Sequence, residues 1–240
     1  MLNIFVAGTD INVGKTFITA GLAATMQSLG YSTCVYKPIQ TGTLDKNGFM
    51  QSPDLAFVKN IDPYIKTFST YLLKESATPI IAAEKEHVII DKNLIKKDYD
   101  TISSEYDCTM VESTGGLMTP VAFNFLMSDL VKTLDLPILL VVRPDSGTVN
   151  HTLLTINHAI SKGLNVRGVI INNFPEETSD LDIKAAPRLI EEYSDTKVLG
   201  IVKSFDDIKR INPNDLITDI LNGIDIESVF KVKIAKLDVE

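Results

Sequence analysis

Cysteine is scarce in this chain: Cys34 and Cys108 are the only two among 240 residues. Both fall in apolar stretches that read as buried strands, so they are read as core thiols rather than as a disulfide or a metal pair. Histidine is almost as thin, with His87, His151 and His158. The last two share one predicted helix face, but without a third ligand nearby they make no zinc site, and His151 is read as a packing or interface residue. Positive charge is short as well, since 23 Lys and Arg stand against 31 Asp and Glu for a formal net charge of −8. That balance argues against broad binding to nucleic acid or to an anionic membrane, and confines any anion site to a local pocket. Long apolar runs are missing. The opening stretch Leu2–Ala7 is too short to span a bilayer and carries neither a basic leader nor a small-residue cleavage pattern, so a cytoplasmic protein is expected. No repeat, low-complexity tract or flexible linker breaks the sequence, and one domain over residues 1–240 is expected.

Short apolar runs alternate with longer amphipathic ones, the pattern of parallel strands joined by crossover helices. Strands are expected near Leu2–Ala7, Thr33–Tyr36, Thr109–Glu112, Ile138–Val142, Val166–Ile171 and Val198–Val202. Most are apolar on both faces, which suits a sheet covered on both sides. Helices are expected at Lys15–Leu29, Leu94–Glu105, Leu126–Leu134, Asn150–Lys162 and Ile183–Tyr193, with Pro187 delaying the start of the last. The fold class is therefore α/β: three layers, a mostly parallel sheet flanked by helices. Residues Lys37 to Lys74 form the least regular region, and long loops in compact domains are often functional. The tail from Ile224 to Glu240 reads either as an edge strand or as a short packing helix.

The strongest local signal is Gly8-Thr9-Asp10-Ile11-Asn12-Val13-Gly14-Lys15-Thr16, set between an apolar strand and an amphipathic helix. In that setting backbone N–H groups and the helix dipole converge on one anion, and Lys15 adds a full charge for the outer phosphates. The Thr16 hydroxyl is placed to ligate Mg²⁺. The strict phosphate-loop pattern would need glycine where Thr9 stands, so this is a variant with a longer gap between its glycines. The expected fold is P-loop NTPase-like.

Further stretches come in order: Tyr36-Lys37-Pro38, Gln40-Thr41-Gly42, Ser52 and Asp54, Glu112 with Gly115-Gly116 and Thr119-Pro120, Gly147-Thr148-Val149-Asn150-His151 with Leu153-Leu154-Thr155, and Asn172. Together with the phosphate loop they resemble the dethiobiotin synthetase family over residues 8 to 172. The phosphate loop alone is common, whereas the Tyr-Lys-Pro strand end and the Gly-Thr-Val-Asn-His helix start are far more specific.

The resemblance implies an ATP-dependent ligase. ATP, CO₂ (or bicarbonate) and 7,8-diaminononanoate give dethiobiotin, ADP and phosphate through a carbamate and a carbamic-phosphoric anhydride. It implies Lys37 and Lys15 as catalytic cations. Asn12, Val13, Gly14, Lys15, Thr16, Asp54, Glu112, Ser113, Thr114, Gly115, Asn172 and Asn173 would hold the nucleotide, and Thr16, Asp54 and Glu112 the Mg²⁺. Thr9, Thr41, Ser146, Gly147, Thr148, Val149 and Asn150 would bind substrate, the last five at a helix start suited to a carboxylate. It also implies a homodimer with composite sites. Asp54 has a second reading as a helix N-cap after Ser52-Pro53. Ser113, Asn173 and Lys203 stand where the family usually has glycine, aspartate and proline, all around the expected nucleotide pocket.

Two other functions fit the same loop. Partitioning or nitrogenase-reductase ATPases commonly carry an additional lysine early in it, where this chain has Thr9 and Asp10. Amidases or ligases of cobalamin-type pathways need a glutamine-hydrolysing region with a nucleophilic cysteine, and Cys34 and Cys108 lie in apolar strands.

Overall fold

A computed structural model describes residues 2–175, 177–205 and 207–234. Its centre is a seven-stranded, all-parallel sheet. In chain order the strands are β1 (Ile4–Gly8), β2 (Thr33–Tyr36), β3 (Lys66–Phe68), β4 (Cys108–Gly116), β5 (Ile138–Val142), β6 (Val166–Phe174) and β7 (Val198–Lys203). They lie side by side as β7-β6-β5-β1-β4-β2-β3. Each strand feeds its two faces alternately: Ile4 and Val6 join one core, Phe5 and Ala7 the other. In β5, Leu139 and Val141 go one way and Ile138, Leu140 and Val142 the other. A strand apolar at every position is thus consumed by two helix layers, as the two-faced apolarity requires.

The first layer packs α1 (Lys15–Ser28), α2 (Pro53–Ile61), α8 (Pro213–Gly223) and α9 (Ile226–Phe230) through Phe17, Leu22, Val58, Ile220 and Phe230. The second packs α3 (Pro79–Lys85), α4 (Lys92–Ser103), α5 (Met127–Leu134), α6 (Thr148–Ser161) and α7 (Leu181–Ser194) through Ala82, Ile95, Leu130, Ile156 and Ile190. Cys34 and Cys108 are free and buried in neighbouring strands. Among the described residues, no helix is long and apolar enough to cross a membrane.

Three expectations need correction. Pro187 lies inside α7, which starts early, at Leu181, because the Asp180 side chain accepts from the N–H groups of Asp182 and Ile183 and so nucleates the turn ahead of the proline. The stretch from Lys37 to Lys74 is structured: it holds α2, a parallel pairing of Ile39–Gln40 with Tyr71–Leu72, and an exposed hairpin of Leu44–Lys46 with Phe49–Gln51. The helix α2 is capped by Ser52, whose hydroxyl accepts from Leu55 N, and Asp54 lies within its first turn instead. Of the two readings of the tail, a packing helix is what α9 forms, with Val229 and Phe230 buried; residues 235–240 lie outside the described residues.

Candidate active site

The carboxyl ends of β1, β2 and β4 converge, and the segments that leave those strand ends build the site. After β1 the chain turns at Gly8, where a Cβ would come within 2.7 Å of Val13 Cγ2. It passes Asn12 at φ 56° and reaches Gly14 at φ 94°, the residue that precedes α1. The backbone conformation at Gly14 strongly favours glycine. A Cβ at Gly14 would also fall 1.9 Å from Asn172 Nδ2. The Asn172 amide is buried and donates to Val13 O at 3.1 Å, tying the end of β6 to the phosphate loop. Thr9 is fastened to β5 by its N–H, which donates to Val141 O at 3.2 Å.

Lys15 opens α1, is buried, and donates to Asp10 O at 2.7 Å. Burial pulls its ammonium down to about 8, with Lys37 pulling the same way and Glu112 opposing. Thr16 Oγ1 donates to Glu112 Oε1 at 2.8 Å.

Lys37 comes directly after β2 and is held between two carboxylates. Its Nζ lies 2.7 Å from Asp54 Oδ2 and 2.8 Å from Glu112 Oε1, and donates to Ser113 O at 3.2 Å. Burial works against its charge, yet Glu112 and Asp54 together raise its pKa above the ordinary lysine value. Glu112 sits within β4, which continues to Gly116, and its Oε2 is buried without a hydrogen-bond partner among the described residues.

The remaining predicted residues are distributed around this cluster. Ser113 Oγ donates to Gly115 O at 2.9 Å, so the side chain that stands in the family's glycine position closes its own turn. Thr114 Oγ1 donates to Ile39 O, and Gly115 takes φ 78° beneath Thr119. Thr41 comes after Gln40, whose Nε2 donates to Thr41 O at 2.7 Å. Asn173, exposed at φ 61°, lines a small cavity of about 190 Å³ with Asn12, Gly14, Asn172, Arg143 and Lys203. The departures Asn173 and Lys203 line this cavity together, whereas Ser113 lies in β4, where its backbone carbonyl accepts from Lys37 and its hydroxyl turns to Gly115 O.

The segment Ser146–Asn150 forms the turn into α6, with Gly147 at φ 91°. Thr148 is buried and its hydroxyl is spent locally, donating to Arg143 O and accepting from Asp145 N at 3.0 Å. Ser146, Gly147 and Asn150 are exposed at this turn, Val149 is half-buried, and Thr148 is the buried one. From this helix His151 and Leu154 line a cleft of about 500 Å³ with Thr9, Asp10 and Thr119. Sequence reasoning missed three contributors: Arg143 and Phe205 in the small cavity, and the bridge from Gln40 to Ser52. Only the last left a trace, in a serine placed one residue before Pro53 and three before the N–H that it caps.

A family model described as an AAA domain matches residues 2–212. The chain is 37% identical to the ATP-dependent dethiobiotin synthetase BioD of Methanocaldococcus jannaschii over 210 residues, covering 86% of this chain and 96% of that protein. It belongs to the dethiobiotin synthetase family. A second relative, the enzyme of the same name from Bacillus licheniformis, is 33% identical across 91% of this chain and 93% of its own length. Among solved structures, the MinD cell division protein of Aquifex aeolicus aligns with a TM-score of 0.58 at 16% identity over 99% of both chains. MinD from Pyrococcus horikoshii OT3 complexed with Mg-ADP aligns with a TM-score of 0.58 at 15% identity, covering 98% of this chain and 100% of that one. At such identities these proteins share the fold with this dethiobiotin synthetase family member, and nothing more is carried over from them.

Proposed function

We propose that this chain closes the ureido ring of dethiobiotin, using ATP and CO₂ to join the two amines of 7,8-diaminononanoate in biotin synthesis. One amine takes up CO₂ as a carbamate. Its oxygen then attacks the γ-phosphorus of ATP, ADP leaves, and the second amine attacks the carbamoyl carbon and expels phosphate. Each stage passes through an anion, so the work falls to cations fixed in a dry site. The observation that carries the reading is Lys37: a buried ammonium at the carboxyl edge of the sheet, its charge secured by Glu112 and Asp54. It holds the carbamate against the phosphoryl group without needing to gain or lose a proton.

Lys15 and the loop N–H groups take the β- and γ-phosphates. The Lys15 ammonium leans on Asp10 O, a contact that phosphate oxygens replace with a stronger, charge-assisted one. Mg²⁺ fits the oxygen set of Thr16, Asp54 and Glu112, because the unpartnered, buried Glu112 Oε2 is a hard acceptor that a cation would satisfy. What the ion supplies when bound is neutralisation of phosphate charge. The cavity beside Gly14, Asn172 and Asn173 takes the base, and Thr9 and Thr41 flank the diamine.

The assembly in this reading is a cytoplasmic homodimer of single-domain subunits, with the turn at Ser146–Asn150 completing the neighbour's site. The exposed side chains of Met118 and Leu154 beside the cleft support it, as an apolar margin suited to burial. The test is ADP release by purified protein with Mg-ATP, bicarbonate and 7,8-diaminononanoate. Release that requires the diamine and bicarbonate supports the ligase. Hydrolysis of ATP without them favours a switch ATPase instead.

A further inference from the structure

Gln40 and Ser52 are both buried, and neither belongs to the residues that hold nucleotide, substrate or metal in the proposed reaction. Ser52 Oγ donates to Gln40 Oε1 at 2.6 Å while accepting from Leu55 N at 3.1 Å. The Gln40 amide can face only one way, since its Nε2 is committed to Thr41 O. One hydroxyl therefore fastens the first turn of α2 to the strand segment Ile39–Gln40.

The fastening closes a short ring. Lys37 leads through Pro38 and Ile39 to Gln40, the hydrogen bond crosses to Ser52, and Asp54 in the first turn of α2 returns to Lys37 at 2.7 Å. Along the backbone the same ends are joined by the excursion from Thr41 to Gln51, which carries the hairpin of Leu44–Lys46 and Phe49–Gln51, exposed at every position. A loop of that kind fixes the separation of its ends poorly. Nor does burial alone hold Asp54, whose side chain is 30% exposed.

We propose that Ser52 and Gln40 are positioning residues for the ligase reaction: their bridge sets the Asp54 carboxylate against Lys37 and insulates the site from the hairpin. The inference rests on the roles proposed for Lys37 and Asp54. The hairpin is then free to vary in length and composition without disturbing the reacting groups.

The test compares wild type with S52A, S52T, Q40M, D54N and the double variant S52A/D54N. Steady-state kinetics resolve kcat, the KM of each substrate and the Mg²⁺ concentration for half-maximal rate, and amide hydrogen exchange is followed over residues 53–61 without nucleotide. S52A and Q40M are expected to raise the Mg²⁺ requirement about ten-fold, with the diamine KM unchanged and faster exchange in the first turn of α2. Q40M leaves the cap on Leu55 in place, so it reads the bridge separately from helix stability. S52T, which keeps both hydrogen bonds, restores the rate, and the double variant is no worse than D54N. Wild-type behaviour of S52A and Q40M beside an impaired D54N would overturn the bridge alone, as would losses that multiply in the double variant. A silent D54N would overturn both the bridge and the role of Asp54.

Discussion

The Lys37 ammonium and the Glu112 carboxylate meet at 2.8 Å with side chains only 3% and 1% exposed. A buried pair of this kind is most informative when one partner is removed. Replacement of Lys37 by alanine leaves Glu112 and Asp54 facing each other without a counter-charge, at a cost of about 3 kcal/mol in unfolding free energy. The same change is predicted to lower kcat about 10²–10³-fold, by loss of one fixed cation at the developing charge. Denaturant unfolding and single-turnover kinetics on Lys37→Ala check both. Arginine is not expected to rescue, because its larger planar head does not fit a site shaped around an ammonium.

Lys15 predicts a pH dependence of opposite character. Burial lowers its pKa from 10.5 to about 8 in the free protein, and bound phosphates favour the protonated form. Below that value the ammonium is already charged, and ATP affinity is flat with respect to this group. Above it, binding must first take up a proton, so affinity falls by up to about ten-fold per pH unit. Stability of the free protein changes the other way: from about 8 toward 10.5 the unfolded chain binds more protons at this lysine, so unfolding free energy rises. Calorimetric titration of ATP in two buffers of different ionisation heat measures the proton uptake directly.

At Gly14 an alanine is predicted to fail twice. The φ of 94° alone costs about 1–3 kcal/mol for a residue with a Cβ, and that Cβ collides with Asn172 Nδ2. Relief of the collision would break the Asn172 bond to Val13 O and open the phosphate loop. Gly14→Ala should therefore lose ATP binding in equilibrium titrations while circular dichroism still reports a folded sheet.

The sequence made the sheet legible because its physical signal is local. Phe5 and Val6, or Leu140 and Val141, are apolar neighbours that can both be buried only if helices cover both faces, and that is where they sit. The phosphate loop was equally legible, since Gly14 and Lys15 need only a strand before and a helix after them. What stayed hidden depends on partners far away in the chain. Nothing near Asn172 announces that its amide will hold Val13, and the exposed residues of the Leu44–Gln51 hairpin give no core-facing pattern to read. Pro187 misled for a related reason: a proline penalises a helix only through one lost N–H bond and one clash, and Asp180 together with the burial of Ala186 and Ile190 outweighs that. Ser52 was noticed as part of a motif, but its partner Gln40 lies across a loop, and spacing carries no record of that bond.

Cys34 and Cys108 give a check on the core itself. Burial pushes the Cys34 thiol up to about 11 and the Cys108 thiol higher still. Neither is expected to react with an alkylating reagent at neutral pH in the native protein, and both should react once denaturant unfolds it. Mass spectrometry of protein alkylated before and after unfolding separates the two states. Fast native labelling of either thiol would contradict the packing of β2 against β4.

If the cations at this site build a ring around a captured carbon, carbon-13-labelled bicarbonate will show where that carbon goes. Incubated with the protein, Mg-ATP and 7,8-diaminononanoate, the label should appear at the ureido carbon of dethiobiotin, with one ADP formed per ring and almost no product made by Lys37→Ala. ADP released without a labelled ring would contradict ring closure at this site.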